Sequence, residues 1–412
     1  MSVEVEDEIR RRIREVGPIT FAQFMELALY WPKGGYYRGT TPIGSSGDFY
    51  TSPGAHPAFG GLLAVQIYQM WRLLGSPSPF WVVEPGAGDG LLCHDLVSYS
   101  LNLPEDFQRC LRYICIDAGV ASGFEDRLPS SLRSKVDRIV GCAIPLNGME
   151  GCIVSNELVD SFPVHRVVMT GGRLCEIYVN VEGDTYVEEV GEPSTEALGE
   201  RFDKLGIGLA EGQVAEVNLA VATWLEDVTR SLVRGYVLTI DYGRLAEELY
   251  SEERLRGTLT CFYKHLQTDN PYSHVGEQDI TSQVDFSTLQ GLGNGLGLQP
   301  LGYLSQSQFL ANLGLRRMIT CLSTMSLSQQ NQYANRMGML DLIRPGGLGE
   351  FKVLIQQRNA PALPLWGTQA DGSLEELREG LPVPLLTSLH MPLLTGRYPY
   401  LESGWDNLES LR

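Results

Sequence analysis

Directly after an apolar run, Phe80-Trp81-Val82-Val83, the chain reads Glu84-Pro85-Gly86-Ala87-Gly88-Asp89-Gly90-Leu91. Glycines at that spacing let a backbone turn tightly and approach a ligand, while the helix that follows presents its N-terminal amides. A dinucleotide fingerprint needs Gly-x-Gly-x-x-Gly, but position 91 is Leu, so the third glycine comes one residue too early. Acids also stand where a pyrophosphate would be repelled. Glu84 lies two residues before the first glycine, and Asp117 closes the next apolar run, 117 − 86 = 31 residues on, the distance of one βαβ step. A carboxylate there can accept both hydroxyls of a ribose. The plain alternatives are an ordinary strand-to-helix turn for Gly86, Gly88 and Gly90, and a capping role for Asp117.

Gly-x-Gly-x-Gly with an acid two residues ahead is the S-adenosylmethionine pattern of class I methyltransferases. That cofactor carries an amino-acid moiety, a ribose and a sulfonium, so flanking carboxylates suit it. A second constellation follows the fourth apolar run, in Ser155-Asn156-Glu157-Leu158-Val159-Asp160-Ser161-Phe162-Pro163. It falls beyond a strand C-terminus, where ligands of open α/β sheets bind. Neither Asp-Pro-Pro-Tyr nor Asn-Pro-Pro-Tyr occurs, which disfavours the usual base or glutamine-amide methylation. Glu157 and Asp160 stand at i and i+3, on one face of a helical turn. Such a pair can hold a planar guanidinium through forked hydrogen bonds. A guanidinium (pKa above ~12) has no free lone pair. Neighbouring carboxylates would localise its charge on the other nitrogens and line one nitrogen up with the methyl group, a gain of orientation. The alternative is that Asn156, Glu157 and Asp160 cap a helix and tie down the segment after it.

These residues need a frame. Residues 5–31 read as two helices parted by Gly17-Pro18-Ile19-Thr20, with Thr20 capping the second and Phe21, Phe24, Leu27 and Ala28 on one face. After a Gly/Ser-rich loop to Pro53, the spacing from Phe59 to Leu74 predicts an amphipathic helix. Apolar runs at 80–83, 113–116, 138–140, 152–154 and 236–240 mostly precede helical or loop segments, the βα alternation of a parallel sheet buried on both faces. Between the last two, 164–169, 173–181 and 185–190 alternate around Gly171-Gly172 and Gly183-Asp184, an antiparallel insertion. Residues 298–304 and 351–356 read as a final strand pair, with helices over 307–340. The fold class expected is α/β, a Rossmann-like, mostly parallel sheet with helices on both faces. Its divisions are an N-terminal helical segment (1–79), a core in two parts (80–163 and 212–357), the insertion (164–211) and a C-terminal extension (358–412).

Lys and Arg number 32 against 50 Asp and Glu, a net charge of −18 over 412 residues. With 43% hydrophobic and 20% charged residues the chain is globular, and its length suits two or three modules at about 100–200 residues per domain. An acidic balance disfavours nucleic acid as main partner. It suits a cationic one, and equally serves solubility. No apolar stretch approaches the ~18–20 residues of a membrane span. The first fourteen residues are charged and carry acids, unlike an export signal or transit peptide. Eight cysteines without a Cys-x-x-Cys pair read as buried reduced thiols. The expected compartment is cytoplasmic. His265 and His274, nine apart with no third ligand, do not make a metal site.

From about residue 18 to 356 the chain resembles the MidA family of class I methyltransferases. The resemblance rests on Ile19-Thr20-Phe21-Ala22-Gln23-Phe24-Met25, Gly35-Tyr36-Tyr37, Gly47-Asp48-Phe49-Tyr50-Thr51-Ser52-Pro53, the glycine loop and Asn156 to Val164. It continues through Asp241-Tyr242-Gly243, Gly257-Thr258-Leu259, Gly276 to Phe286, Phe309-Leu310 and Phe351-Lys352-Val353. Two departures stand out. Ala87 takes the place of the family's loop proline, and Asp117-Ala118-Gly119 replaces Glu followed by Ser. The family's eukaryotic members are mitochondrial complex I assembly factors with protein-arginine methyltransferase activity. The resemblance therefore implies S-adenosyl-L-methionine as cofactor and a protein presenting an arginine as partner.

It also implies roles. Gly47, Asp48, Phe49, Thr51 and Ser52 would form a loop over the cofactor, with Asp48 toward its amino group or serving as a turn cap. Asp241 and Tyr242 would line a substrate channel. Asp279 and Thr281 are expected to cap a helix, in the stretch that ends with Asp285. Two other readings compete: a non-catalytic assembly chaperone on the same fold, and a small-molecule methyltransferase, which predicts a closed apolar pocket rather than an open groove. A homodimer is among the assemblies the sequence permits.

Overall fold

The computed structural model describes residues 2–38, 50–119, 128–264, 266–369, 377 and 380–390. The chain opens with helix α1 (Ser2–Val16), a short strand Ile19–Thr20 and helix α2 (Phe21–Tyr30). The Thr20 hydroxyl accepts the Gln23 amide at 3.2 Å while the Gln23 side chain accepts the Thr20 amide at 3.0 Å, a reciprocal cap. The face carrying Phe21, Phe24, Leu27 and Ala28 is buried, as the spacing predicted.

Helix α3 (Ala58–Leu73) differs from its expected amphipathic form: every residue from Ala58 to Trp71 is buried. One side packs so closely on the next helix that a Cβ at Gly60 would lie 2.6 Å from that of Asp95. The other is covered by residues 364–367. Gln66 Oε1 accepts the Gly367 amide and Gln69 Oε1 the Trp366 amide, both at 2.7 Å. Gln66 and Gln69, on a helix expected to be amphipathic, are thus interior hydrogen-bonding groups.

Strands β1 (Phe80–Pro85), β2 (Leu111–Asp117), β3 (Val136–Val140) and β4 (Met149–Asn156) follow, with helix α4 (Leu91–Ser100) after β1. Next come β5 (His165–Thr170), β6 (Arg173–Glu182), β7 (Thr185–Gly191) and β8 (Val214–Val217), then helix α5 (Ala220–Ser231) and β9 (Leu232–Asp241). Helix α6 (Phe286–Gly295), β10 (Gln299–Ser305), helices α7 (Gln306–Leu313) and α8 (Gln329–Asp341), and β11 (Lys352–Arg358) complete the core.

The central sheet has the order β10-β11-β9-β4-β1-β2-β3. Neighbours from β9 to β3 run parallel, while β11 is antiparallel to both β9 and β10. Successive residues face opposite sides, so Val82, Cys152 and Leu238 join one apolar cluster with α3, α4 and α7, while Val83, Ile153 and Val237 join another with α5 and α6. Burial on both faces explains why these strands read as unbroken apolar runs. The order reverses between β1 and β4, which opens a crevice at their C-terminal ends.

The expected antiparallel insertion forms as β5–β7, and its sheet also takes in β8 and Ile19–Thr20. The C-terminal extension docks on the core: Tyr99 donates to the Pro382 carbonyl, and His390 Nε2 lies 2.9 Å from the buried Asp95 carboxylate. All eight thiols are free; Cys93, Cys115, Cys152 and Cys261 are buried, but Cys142 is exposed, against the expectation for it. Among the described residues no helix is long and apolar enough to cross a membrane, and no group of three or more His, Cys, Asp or Glu could hold a metal. His265 lies outside the described residues.

Candidate cofactor and acceptor site

The glycine loop turns off the end of β1. Gly86, Gly88 and Gly90 have φ of 71°, 54° and 80°, the left-handed region that favours glycine. The amides of Gly86 and Ala87 donate to the Ile116 carbonyl at 2.8 and 3.1 Å, which ties the loop to β2. Asp117, at the end of β2, accepts the Gly88 amide on Oδ2 and the Gly119 amide on Oδ1, each at 2.8 Å. The residue expected to meet the ribose therefore also braces the loop, and two of its roughly four acceptor positions stay open. Burial raises its pKa, against those two amides.

Glu84 is 3% exposed and accepts the Tyr113 hydroxyl at 2.8 Å. Burial pushes its pKa up to about 8, opposed by that hydrogen bond. A folded-state pKa above the ordinary 4.5 means the folded chain holds the proton more tightly. The associated stability is full below about 4.5 and is lost as pH rises through about 8. Glu84→Gln cannot titrate. Its melting temperature should gain on wild type as pH goes from 5 to 8.5, at up to about 1.4 kcal/mol per pH unit. Parallel thermal melts would show that Glu84 does not titrate in that window.

Beyond β4, Asn156 Nδ2 donates to Glu157 Oε1 at 2.9 Å. Glu157 has φ 52°, and its amide donates to the Ile240 carbonyl of β9 at 2.9 Å. Its pKa is pushed up to about 8 by burial and then by Asp160, while the Asn156 side chain and the Ser52 amide favour ionisation. Asp160, 5% exposed, is raised to about 6 by burial, against a hydrogen bond from Tyr242. The carboxyls that were paired from spacing alone do lie within reach of each other's charge. The turn between them is one of 3₁₀ helix, Val159–Ser161.

Several expected site residues sit elsewhere. Asp241 is fully buried and bonded to backbone amides of residues 158–160 and 242, so it lines no channel. Tyr242 does reach Asp160. Ser52 is also fully buried; its hydroxyl donates to Gln306 Oε1 at 3.0 Å, and only its amide faces Glu157. Thr51 caps the short helix Ser52–Ala55. Gly47, Asp48 and Phe49 lie outside the described residues. Asp279 and Thr281 cap no helix: they belong to a short strand, Asp279–Thr281, and the cap of α6 is Asp285, which accepts the Thr288 amide at 3.1 Å.

Three residues that were given no role from sequence stand beside these groups. Tyr30 donates to the Ser161 carbonyl at 3.1 Å, Tyr37 to Asp279 Oδ1 at 2.7 Å, and Arg38 Nη1 to the Ala118 carbonyl at 2.9 Å. Tyr30 and Tyr37 stack with centroids 5.4 Å apart. On the far side Arg138 donates to the Gly88 carbonyl at 2.9 Å. Resemblance in Gly35-Tyr36-Tyr37 was the only sequence signal for this wall.

The chemistry of the donor set fits a ligand that is both cationic and hydroxylated. Asn156 Oδ1 and Asp160 Oδ1 are buried acceptors with no partner among the described residues, so each can take a donated hydrogen. Residues 62–304 match the family described as "Putative S-adenosyl-L-methionine-dependent methyltransferase". The chain belongs to this methyltransferase family. The MidA resemblance of its motifs agrees with that membership, and S-adenosyl-L-methionine is its cofactor. A Burkholderia thailandensis protein solved with S-adenosyl-homocysteine is similar over 89% of this methyltransferase and 94% of that chain, with TM-score 0.79 and 29% identity. The human protein arginine methyltransferase NDUFAF7, mitochondrial, is 27% identical across 84% of this chain and 82% of its own. The Drosophila melanogaster homolog is 24% identical across 84% and 83%. Those mitochondrial names overturn the expectation of a cytoplasmic compartment. That expectation leaned on an acidic N-terminus and on reduced thiols, neither of which distinguishes one reducing compartment from another.

Proposed function

We propose that this S-adenosyl-L-methionine-dependent methyltransferase methylates an arginine guanidinium on a partner protein. The observation that carries the reading is the pair Glu157 and Asp160 at the cofactor end of β4, two acids that burial holds above the ordinary carboxylate range, Glu157 with a further push from Asp160. A carboxyl in that state is stabilised by an incoming cation. A guanidinium offers such a cation, with a fork of hydrogens that two carboxylates can share. The relatives named protein arginine methyltransferases support the same acceptor.

In this reading Gly86, Gly88, Gly90 and Asp117 cradle the cofactor, Glu84, bonded to Tyr113, stands at the base of the glycine loop, and Asn156 orients Glu157. Bound S-adenosyl-L-methionine supplies an activated methyl group on its sulfonium. Glu157 and Asp160 draw the guanidinium's charge toward two of its nitrogens and leave the third facing the crevice. Glu157, ionised once the guanidinium is bound, takes the proton that nitrogen gives up. A small-molecule acceptor would favour an apolar lining, whereas the groups acting on Glu157 are Asn156, Asp160, Ser52 and Asp279.

The test is mass spectrometry on arginine–glycine peptides incubated with enzyme and S-adenosyl-L-methionine, beside twins with lysine in place of arginine. Methyl gain on the arginine peptides alone is the expected result. Methylation confined to lysine, or none by protein that binds S-adenosyl-homocysteine, overturns the arginine reading.

A further inference from the structure

At the end of β9 the Asp241 carboxylate accepts four backbone amides. Its Oδ2 takes those of Leu158 at 3.2 Å, Val159 at 2.9 Å and Asp160 at 3.4 Å, and its Oδ1 that of Tyr242 at 2.9 Å. Successive amides converging on one oxygen form the kind of nest that elsewhere binds a phosphate or other anion. Here the protein fills the nest itself, with the side chain of a residue 0% exposed whose pKa is raised by burial and by Asp160 and Glu157, against the amides of Val159 and Tyr242. Glu157, immediately before the nest, holds a left-handed backbone conformation that a non-glycine residue adopts only when its surroundings enforce it. Its own amide is taken by Ile240, the neighbour of Asp241. Tyr242, just past the end of β9, lies close enough to Asp160 for each to shift the other's pKa.

We infer that Asp241 is a positioning residue for methyl transfer. It touches neither cofactor nor acceptor, and acts by holding turn 157–160 in the strained conformation that aims Glu157 and Asp160 together into the crevice. The inference rests on those two acids being the guanidinium clamp. Because the nest grips the turn and not the glycine loop, its loss separates cofactor binding from transfer.

The experiment compares full-length wild type, Asp241→Ala and the isosteric Asp241→Asn. Calorimetry with S-adenosyl-homocysteine should give dissociation constants within about threefold of one another. Transfer to the arginine–glycine peptides should fall about a hundredfold in Asp241→Ala, in kcat rather than in KM for the cofactor. Sodium formate, small enough to enter the vacated nest, should restore at least about tenfold of that rate, while sodium chloride at equal ionic strength should not. Hydrogen exchange at the Leu158, Val159 and Asp160 amides should speed up in Asp241→Ala and slow again with formate. Asp241→Asn keeps one accepting oxygen but turns an NH2 donor onto the amide or amides that the other oxygen accepted, so its turnover should fall by at least about tenfold. The nest being occupied by the side chain, formate should not help it; it also carries the kinetic comparison if the alanine variant does not fold. Wild-type turnover in either variant overturns the inference. So does a folded, cofactor-binding Asp241→Ala whose rate and amide protection ignore formate. If wild type methylates no arginine peptide, the substrate reading fails instead, and the exchange measurement still decides what Asp241 holds.

Discussion

Gly86→Val should lose affinity for S-adenosyl-homocysteine by about a hundredfold or more, equivalent to nearly 3 kcal/mol, while remaining folded. Two effects add. The residue sits at φ 71°, where a β-branched side chain is strained by about 1–2 kcal/mol. A Cβ would also lie 2.9 Å from Leu158 Cδ1, so the Leu158 side chain packed on the loop must shift, and the two further valine carbons add to that displacement. The control is Gly75→Ala, whose φ of 83° imposes the same backbone strain with nothing within 4 Å of the new Cβ. That variant should be modestly less stable and bind the cofactor normally. Equal affinity of Gly86→Val and wild type, by calorimetry, would remove the glycine loop from the cofactor site.

Glu157→Gln should leave the cofactor's dissociation constant nearly unchanged and cut kcat for peptide methylation by about a thousandfold, in the middle of the range that positioned acid–base groups contribute. The charge balance gives a second readout. With its pKa near 8, Glu157 is mostly protonated at pH 7 in the free enzyme. A bound guanidinium lowers that pKa, so the proton leaves on binding. Titrations of an arginine peptide at pH 7, in buffers of differing ionisation enthalpy, should reveal close to one proton released by wild type and markedly less by Glu157→Gln. At pH 9, where the carboxyl is already ionised, the difference should vanish. Identical proton release by both proteins at pH 7 would show that Glu157 does not meet the cation.

What could be read from the chain, and what could not, divides by the range of the interactions. The strands were legible because burial on both faces leaves apolar runs, and Val82 and Val83 serve opposite clusters from adjacent positions. The Thr20 cap was legible because its partner is three residues away. Helix α3 was misjudged since Gln66 and Gln69 look like a solvated stripe until a segment nearly 300 positions downstream is laid on them. Asp279 was given a local capping role, yet its partner Tyr37 is 242 residues away. Asp241 has the same history: an acid at a strand end resembles a ligand-facing group, and only the folded turn shows its oxygen turned onto the backbone of 158–160. In each case the residue type was informative and the direction in which it points was not.

The clasp between α3 and residues 364–367 also orders the protein's synthesis. Gln66 meets the Gly367 amide across 301 positions, so a ribosome has made α3 long before it makes the segment that covers it. Through most of translation that helix carries a flank of apolar side chains and two amide side chains with no lasting partners. A nascent chain in that condition invites self-association or a holding chaperone. A messenger truncated shortly before codon 364 would encode every residue assigned here to cofactor and acceptor, yet its product would never finish closing its core.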